Sequence, residues 1–367
     1  MPELLKNIYS PSFFEQFTET VKQVLPKFNK QQFLNQIFDT EWEAKELKQR
    51  MRSIATSLKN HLPGGYAENV ASINCVIQQL QKNGTHGGFA YMFFPDFIEQ
   101  YGLKDLNTSL QAMESITQFI SCEFAVRPFL VNYPEEVMGQ MLKWSKHPNH
   151  SVRRFSSEGC RPRLPWAMAI PYLKRASSVS LLILENLRND ASLFVRKSVA
   201  NHLNDISRDN PHIVIDFAKK WKGESKETDW IIKHGCRTLL KNADENVYEI
   251  FELTSTTNCV VNNLKLSNNR LKIGERLGFS FKLTPTVQDL LKLRIEYAIY
   301  YNKANGKQTR KLFKLSENQY QGGNTYLFNR SQRFQDFTTR KHYPGKHKIG
   351  IVVNGKELAV KEFVLLQ

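Results

Sequence analysis

The chain has 367 residues, 41% of them hydrophobic, and its 51 Lys+Arg against 35 Asp+Glu leave a net charge of +16. That is enough apolar material for two globular domains, and the positive excess favours a polyanionic partner, nucleic acid ahead of an anionic membrane. No apolar run approaches the roughly 20 residues that cross a bilayer and no basic-then-apolar leader opens the sequence, so a cytoplasmic protein with no membrane role is expected.

Residues 1–255 read as helical: apolar residues recur three and four apart, and glycine is sparse outside "LPGG" (62–65) and "GTHGG" (84–88), which read as loops between helices. The five cysteines, Cys75, Cys122, Cys160, Cys236 and Cys259, are odd in number and scattered. They read as reduced thiols in packed helices, with neither a disulfide framework nor a zinc site.

The stretch "SVRRFSSEGCRPRLPW" (151–166) breaks the pattern by setting Glu158 among Arg153, Arg154, Arg161 and Arg163. Pro162 disfavours helical geometry at Arg161 and Pro165 removes another donor, so a helix carrying Glu158 must end soon after it. The chain then turns an ordered corner that delivers Trp166 near Glu158. Taken alone, a glutamate among arginines is ordinarily a bridging ion pair, and a lone tryptophan is more often core than contact.

"HSVRRFSSEG", "LFVRKSVANHL" and "DWIIKHGCRTLL" share a pattern that aligns Val152, Val195 and Ile231 at offsets of 43 and 36 residues. Such a period suits HEAT- or armadillo-like helical pairs stacked into a solenoid with a concave binding surface; an irregular bundle is the alternative. At about 100° per residue, Val195, Val199, Leu203 and Ile206 fall on a core stripe, with Lys197, Asn201 and Asp205 on the next. The same phase puts Glu158 on a stripe with Arg154 and Arg161, so that Glu158 and Asp205 face one groove from adjacent repeats.

From about residue 260 the period becomes two, in "RLGFSFKLTP", "KLRIEYAIYY", "RKLFKL" and "HKIGIVVNGKELAVKEFVL", with "NGK" turns at 305 and 354. Residues 256–367 carry 20 Lys+Arg against 7 Asp+Glu. The expected architecture is an α + β multidomain chain. An all-α HEAT-like solenoid (1–255) precedes a basic all-β immunoglobulin-like sandwich (256–367) of about seven strands, without an inter-sheet disulfide.

"SSEGCRPRLPW" and "VRKSVANHLNDISRDNP" resemble the AlkC family of DNA alkylation repair glycosylases, relatives of AlkD in the HEAT-like repeat superfamily. The resemblance implies hydrolysis of the N-glycosidic bond of cationic alkylated bases, chiefly 3-methyladenine and 3-methylcytosine, in duplex DNA. It makes Glu158 the main catalytic carboxylate, Asp205 the second and Glu123, in "SCEFAVRPFL", a third candidate, with Trp166 packing against the lesion nucleotide. Arg153, Arg154, Arg161, Arg163, Arg196 and Lys197 would grip phosphates, and the sandwich would add further phosphate contacts. A cationic base leaves readily, whereas the sugar develops oxocarbenium character that carboxylates stabilise. No nucleophilic lysine stands out, so water is the expected nucleophile and an abasic site the product. The family also implies excision without burying a flipped base in a deep pocket. No cofactor, no metal and no obligate protein partner are expected, and a monomer would suffice. The competing readings are a damaged-DNA-binding protein without chemistry and a protein-interaction scaffold.

Overall fold

The computed structural model describes residues 4–175, 177–253, 258–337 and 341–367. Helices come first: α1 (Pro11–Val24), α2 (Lys30–Ile37), α3 (Leu47–His61), α4 (Tyr66–Lys82), α5 (Phe93–Tyr101) and α6 (Leu106–Ile116). They close around buried Phe14, Phe17, Phe33, Phe93, Phe94 and Phe97, and edge-on ring pairs such as Phe17–Phe93 at 5.2 Å add to the burial. The "LPGG" and "GTHGG" segments are the loops expected.

Next come α7 (Val126–Asn132), α8 (Pro134–Trp144), α9 (His150–Gly159), α10 (Pro171–Arg175), α11 (Leu181–Leu187), α12 (Leu193–Ile206), α13 (Pro211–Trp221), α14 (Lys226–Gly235), α15 (Arg237–Lys241) and α16 (Glu245–Ile250). The repeat alignment holds in three dimensions. α12 packs on α9 and on α14, and Val152, Val195 and Ile231 are each fully buried. Asn149 caps α9 by accepting from the Ser151 N–H at 2.8 Å. At its other end a side chain on Gly159 would collide with Met141 Cε and Val126 Cγ1 at 2.9 Å, so glycine lets α9 lie close against α7 and α8.

Among the described residues eight strands follow: β1 (Cys259–Leu266), β2 (Arg270–Lys272), β3 (Arg276–Pro285), β4 (Leu290–Asn302), β5 (Gln308–Gln321), β6 (Tyr326–Arg333), β7 (Gly345–Val353) and β8 (Lys356–Leu366). They form a three-stranded sheet in the order β1-β3-β6 and a five-stranded sheet in the order β2-β8-β7-β4-β5, with β2 parallel to β8. The inner faces alternate as expected, β3 burying Leu277, Phe279, Phe281 and Leu283 and β7 burying Ile349, Ile351 and Val353. The "NGK" at 354 makes a two-residue hairpin, with Asn354 at φ 40° and Gly355 at φ 82° linking Val353 to Lys356.

The expected boundary at 255/256 and the start of the basic run "TTRKHYPGKHK" lie outside the described residues. The chain separates into two compact units, one of Met1–Val214 with Trp221–Gly235 and one of Ile215–Lys220 with Cys236–Gln367. The second therefore includes α15 and α16, and the reason is a close approach. A Cβ on Gly355 would meet Ala243 Cβ at 2.5 Å and Tyr248 Oη at 3.0 Å, and Glu252 pairs with Lys292 at 3.5 Å. All five cysteines are free. The packed-helix expectation fails in its detail: Cys75 is in α4 but exposed, Cys122, Cys160 and Cys236 are buried but lie between helices or at their ends, and Cys259 opens β1.

Candidate active site

The end of α9, the corner after it and α12 bring the sequence-selected residues together. Glu158, Arg161 and Asp205 are only 5, 6 and 4% exposed. Arg161 lies between the two carboxylates, donating from Nη1 to Glu158 Oε1 at 2.6 Å and from Nε to Asp205 Oδ2 at 2.8 Å. Arg154, one turn before Glu158, approaches Oε1 at 3.4 Å and also donates to Glu123 and, at 2.6 Å, to the Ser121 hydroxyl. Its guanidinium stands 4.8 Å from the centre of the Phe194 ring. Glu123, Arg154, Glu158, Arg161 and Asp205 thus form one chain of alternating sign, three carboxylates against two guanidiniums. Glu158 shares its helix face with Arg154, as its phase requires, whereas Asp205 turns inward to Arg161 rather than sharing the exposure of Lys197.

Burial in this low-dielectric setting shifts the titrations. Desolvation raises the Asp205 pKa above the usual aspartate value, with the Arg161 hydrogen bond and charge opposing it. Burial likewise works against the Arg161 charge, but Glu158 and Asp205 outweigh it and its pKa rises. Asp205 Oδ1 accepts no hydrogen bond from any described residue, which leaves a lone-pair site at the edge of the array.

Three polar residues of α9 and α12 hold Glu158 from behind. The Ser198 hydroxyl donates to Glu158 Oε2 at 2.6 Å and sits 3.1 Å from the Ser157 hydroxyl. Fully buried His202 meets the Ser157 carbonyl through Nδ1 at 3.0 Å, while its Nε2 has no partner among the described residues. Burial, reinforced by the nearby Arg161 charge, depresses its pKa to about 3, so the ring is neutral and adds no positive charge behind the carboxylate.

The corner is clamped by Arg127, which is buried completely in α7. Its Nε donates to the Met168 carbonyl at 2.8 Å, and Nη1 donates to the carbonyls of Gly159 and Arg161 at 3.0 and 2.8 Å. The corner carries Trp166 at φ 65°, in the left-handed region; the residue is 61% exposed and its ring lies edge-on to Phe89 at 6.2 Å. A cleft of 140 Å³ opens beside it, lined among others by Lys48, Asp96, Glu99, Phe124 and Met168.

The remaining arginines are less uniform than expected. Arg153 forms a two-bond fork with Asp190, at 2.6 and 3.1 Å, and also donates to the carbonyls of His147 and Pro148, so it braces neighbouring repeats. Arg196 donates to the carbonyls of Asp190 and Ala191. Arg163 pairs with Asp209 at 3.0 and 2.6 Å in a partly exposed fork. Lys197 is exposed, with no ion pair to a described residue. Among the described residues no group of three or more His, Cys, Asp or Glu is placed to hold a metal.

Sequence reasoning missed Arg127, Ser198, His202 and Lys48. Only Arg127 offered a signal, as an arginine inside the apolar run "FAVRPFLV", where a charge survives only if backbone carbonyls receive it.

A model of the family described as "DNA alkylation repair enzyme" matches residues 102–239, which include every carboxylate of the array. A second, for the C-terminal Ig-like domain of "Uncharacterised protein YhaZ", matches residues 260–367. The chain is 42% identical over 352 residues to "Uncharacterized protein YhaZ" of Bacillus subtilis (strain 168), covering 96% of each. It superimposes with a TM-score of 0.94 and 33% identity, over 100% of both chains, on the Pseudomonas fluorescens alkylpurine DNA glycosylase AlkC bound to DNA containing an abasic site analogue.

Proposed function

We propose, from the premise that this chain belongs to the DNA alkylation repair enzymes of the AlkC type, that it is a monofunctional glycosylase acting on cationic alkylated bases, 3-methyladenine and 3-methylcytosine, in duplex DNA. One observation carries the reading: two buried carboxylates from adjacent repeats, Glu158 and Asp205, share a single guanidinium.

The leaving base already bears a positive charge, so the enzyme need not protonate it. Positive charge moves onto the sugar as the bond breaks, and the array answers that change. With three carboxylates against two guanidiniums, it has a formal charge of −1 in a low-dielectric setting where charge interactions are strong. Glu158, fixed by Arg161, Arg154 and Ser198, faces the developing cation without reorganising. Asp205 Oδ1, which accepts from no donor among the described residues, holds the attacking water. Trp166 packs its exposed ring against the lesion nucleotide, while Arg163 and Lys197 are the groups most available to phosphates. The basic residues of 256–367 add salt-sensitive contacts to the DNA backbone.

The test is base release from duplex carrying a single 3-methylcytosine, and from methylated DNA containing 3-methyladenine, comparing wild type with Glu158→Gln. A loss of about a hundredfold, near 3 kcal/mol of transition-state stabilisation, is expected in the variant. DNA binding without release by the wild type would leave a damage-binding protein, and equal rates would remove Glu158 from the mechanism.

A further inference from the structure

Trp166 is the only tryptophan among the described residues with a positive φ, a conformation that L side chains rarely adopt. A residue held there persists only where its surroundings over-determine it. Arg127 fixes the corner on either side, through the carbonyls of Arg161 and Met168, but makes no bond to Trp166 itself. The group that does is Lys48, from α3, 118 residues earlier: its ammonium donates to the Trp166 carbonyl. The same ammonium lies 5.4 Å from the centre of the Phe124 ring, and Phe124 directly follows Glu123. One cation therefore touches both the corner carrying the exposed indole and the segment carrying the outermost carboxylate of the array.

We infer that Lys48 is a positioning residue for the glycosylase reaction: by holding the Trp166 carbonyl against α3 it sets the direction in which the indole meets the lesion nucleotide. The inference rests on the glycosylase reading for its kinetic consequence, but its structural half stands apart from activity. The competing role for Lys48 is that of an exposed lysine contacting phosphate, and the two roles separate cleanly. A positioning residue acts through Trp166, so its loss is not additive with the loss of Trp166. A phosphate contact would act independently of Trp166 and, when removed, lower the salt dependence of DNA binding.

The experiment uses the full chain with 5-fluorotryptophan at its five tryptophans, the Trp166 resonance being assigned as the one lost in Trp166→Phe. Without DNA, Lys48→Met is expected to move or broaden that resonance and leave the others in place, while Lys48→Arg restores it. In single-turnover base release, Lys48→Met should slow the reaction about tenfold, the scale of one lost charge-assisted hydrogen bond. In a Trp166→Ala background it should cost less than about twofold. An unmoved Trp166 resonance overturns the inference whether or not the wild type releases base. So does a tenfold loss that persists in the Trp166→Ala background, which would make Lys48 a direct DNA contact. A shifted resonance in a protein that releases no base would retain the clamp and overturn the glycosylase reading instead.

Discussion

Replacing Arg127 by methionine keeps an apolar stem but removes the guanidinium that clamps the corner after α9. The wild-type guanidinium donates three hydrogen bonds to the carbonyls of Gly159, Arg161 and Met168. Hydrogen bonds from a charged donor are worth about 1.5–3 kcal/mol each, so the three contribute roughly 5–9 kcal/mol. Against this, burial draws the Arg127 pKa down to about 10, and keeping the charge there costs about 3 kcal/mol. Methionine removes both terms, giving a net destabilisation of roughly 2–6 kcal/mol, a large part of an ordinary domain's stability. The assay is guanidinium unfolding followed by helical circular dichroism, with hydrogen exchange across residues 159–168 to localise the effect. The midpoint should fall and exchange in the corner should rise by a factor of at least about ten. A loss below about 1 kcal/mol with unchanged exchange in the corner would mean that the three carbonyls find donors elsewhere and that Arg127 does not clamp the corner.

Other consequences follow from the buried groups of α12. His202 is neutral in the folded protein, with a pKa near 3 against about 6.5 unfolded. As pH falls the unfolded chain takes up this proton first, so the stability from the buried neutral ring is complete above about 6.5 and declines as pH falls toward 3. The slope approaches 1.4 kcal/mol per pH unit. Thermal midpoints between pH 7 and 5 should show it, and His202→Asn should flatten the decline; an equal slope in both proteins would assign the acid sensitivity elsewhere. Burial raises the Asp205 pKa, so a reaction needing its carboxylate should lose rate on acidification earlier than an ordinary aspartate would dictate. A single-turnover rate that stays level down to about pH 4 would remove ionised Asp205 from the chemistry.

Much of the scaffold was legible because periodicity reports which face of an element is buried. Val195, Val199, Leu203 and Ile206 are core as their phase predicts, and the period-two runs became β3, β4, β5, β7 and β8. Phase also placed Arg154 beside Glu158, one turn apart on α9, whereas Arg161 reaches the same carboxylate from just past the helix end. What phase cannot report is which side chain of another repeat arrives opposite. Asp205 reaches Arg161 across 44 residues and Asp190 takes Arg153 across 37. A helical wheel shows Arg153 and Arg154 as similar basic neighbours; the fold turns one into a brace between repeats and the other into a member of the carboxylate array. The clamps by Arg127 and Lys48 depend on carbonyl directions in an irregular corner, which side-chain patterns do not encode.

The packing of Ala243 and Tyr248 over the Gly355 turn alters how this protein can be divided. A fragment beginning at residue 256 keeps β1 to β8 but bares the hairpin surface that α15 and α16 cover. A fragment ending at 255 strands the same two helices without their support. Exchanging sandwiches between relatives therefore calls for a cut near residue 235, ahead of α15, so that the short helices travel with the sheet they serve.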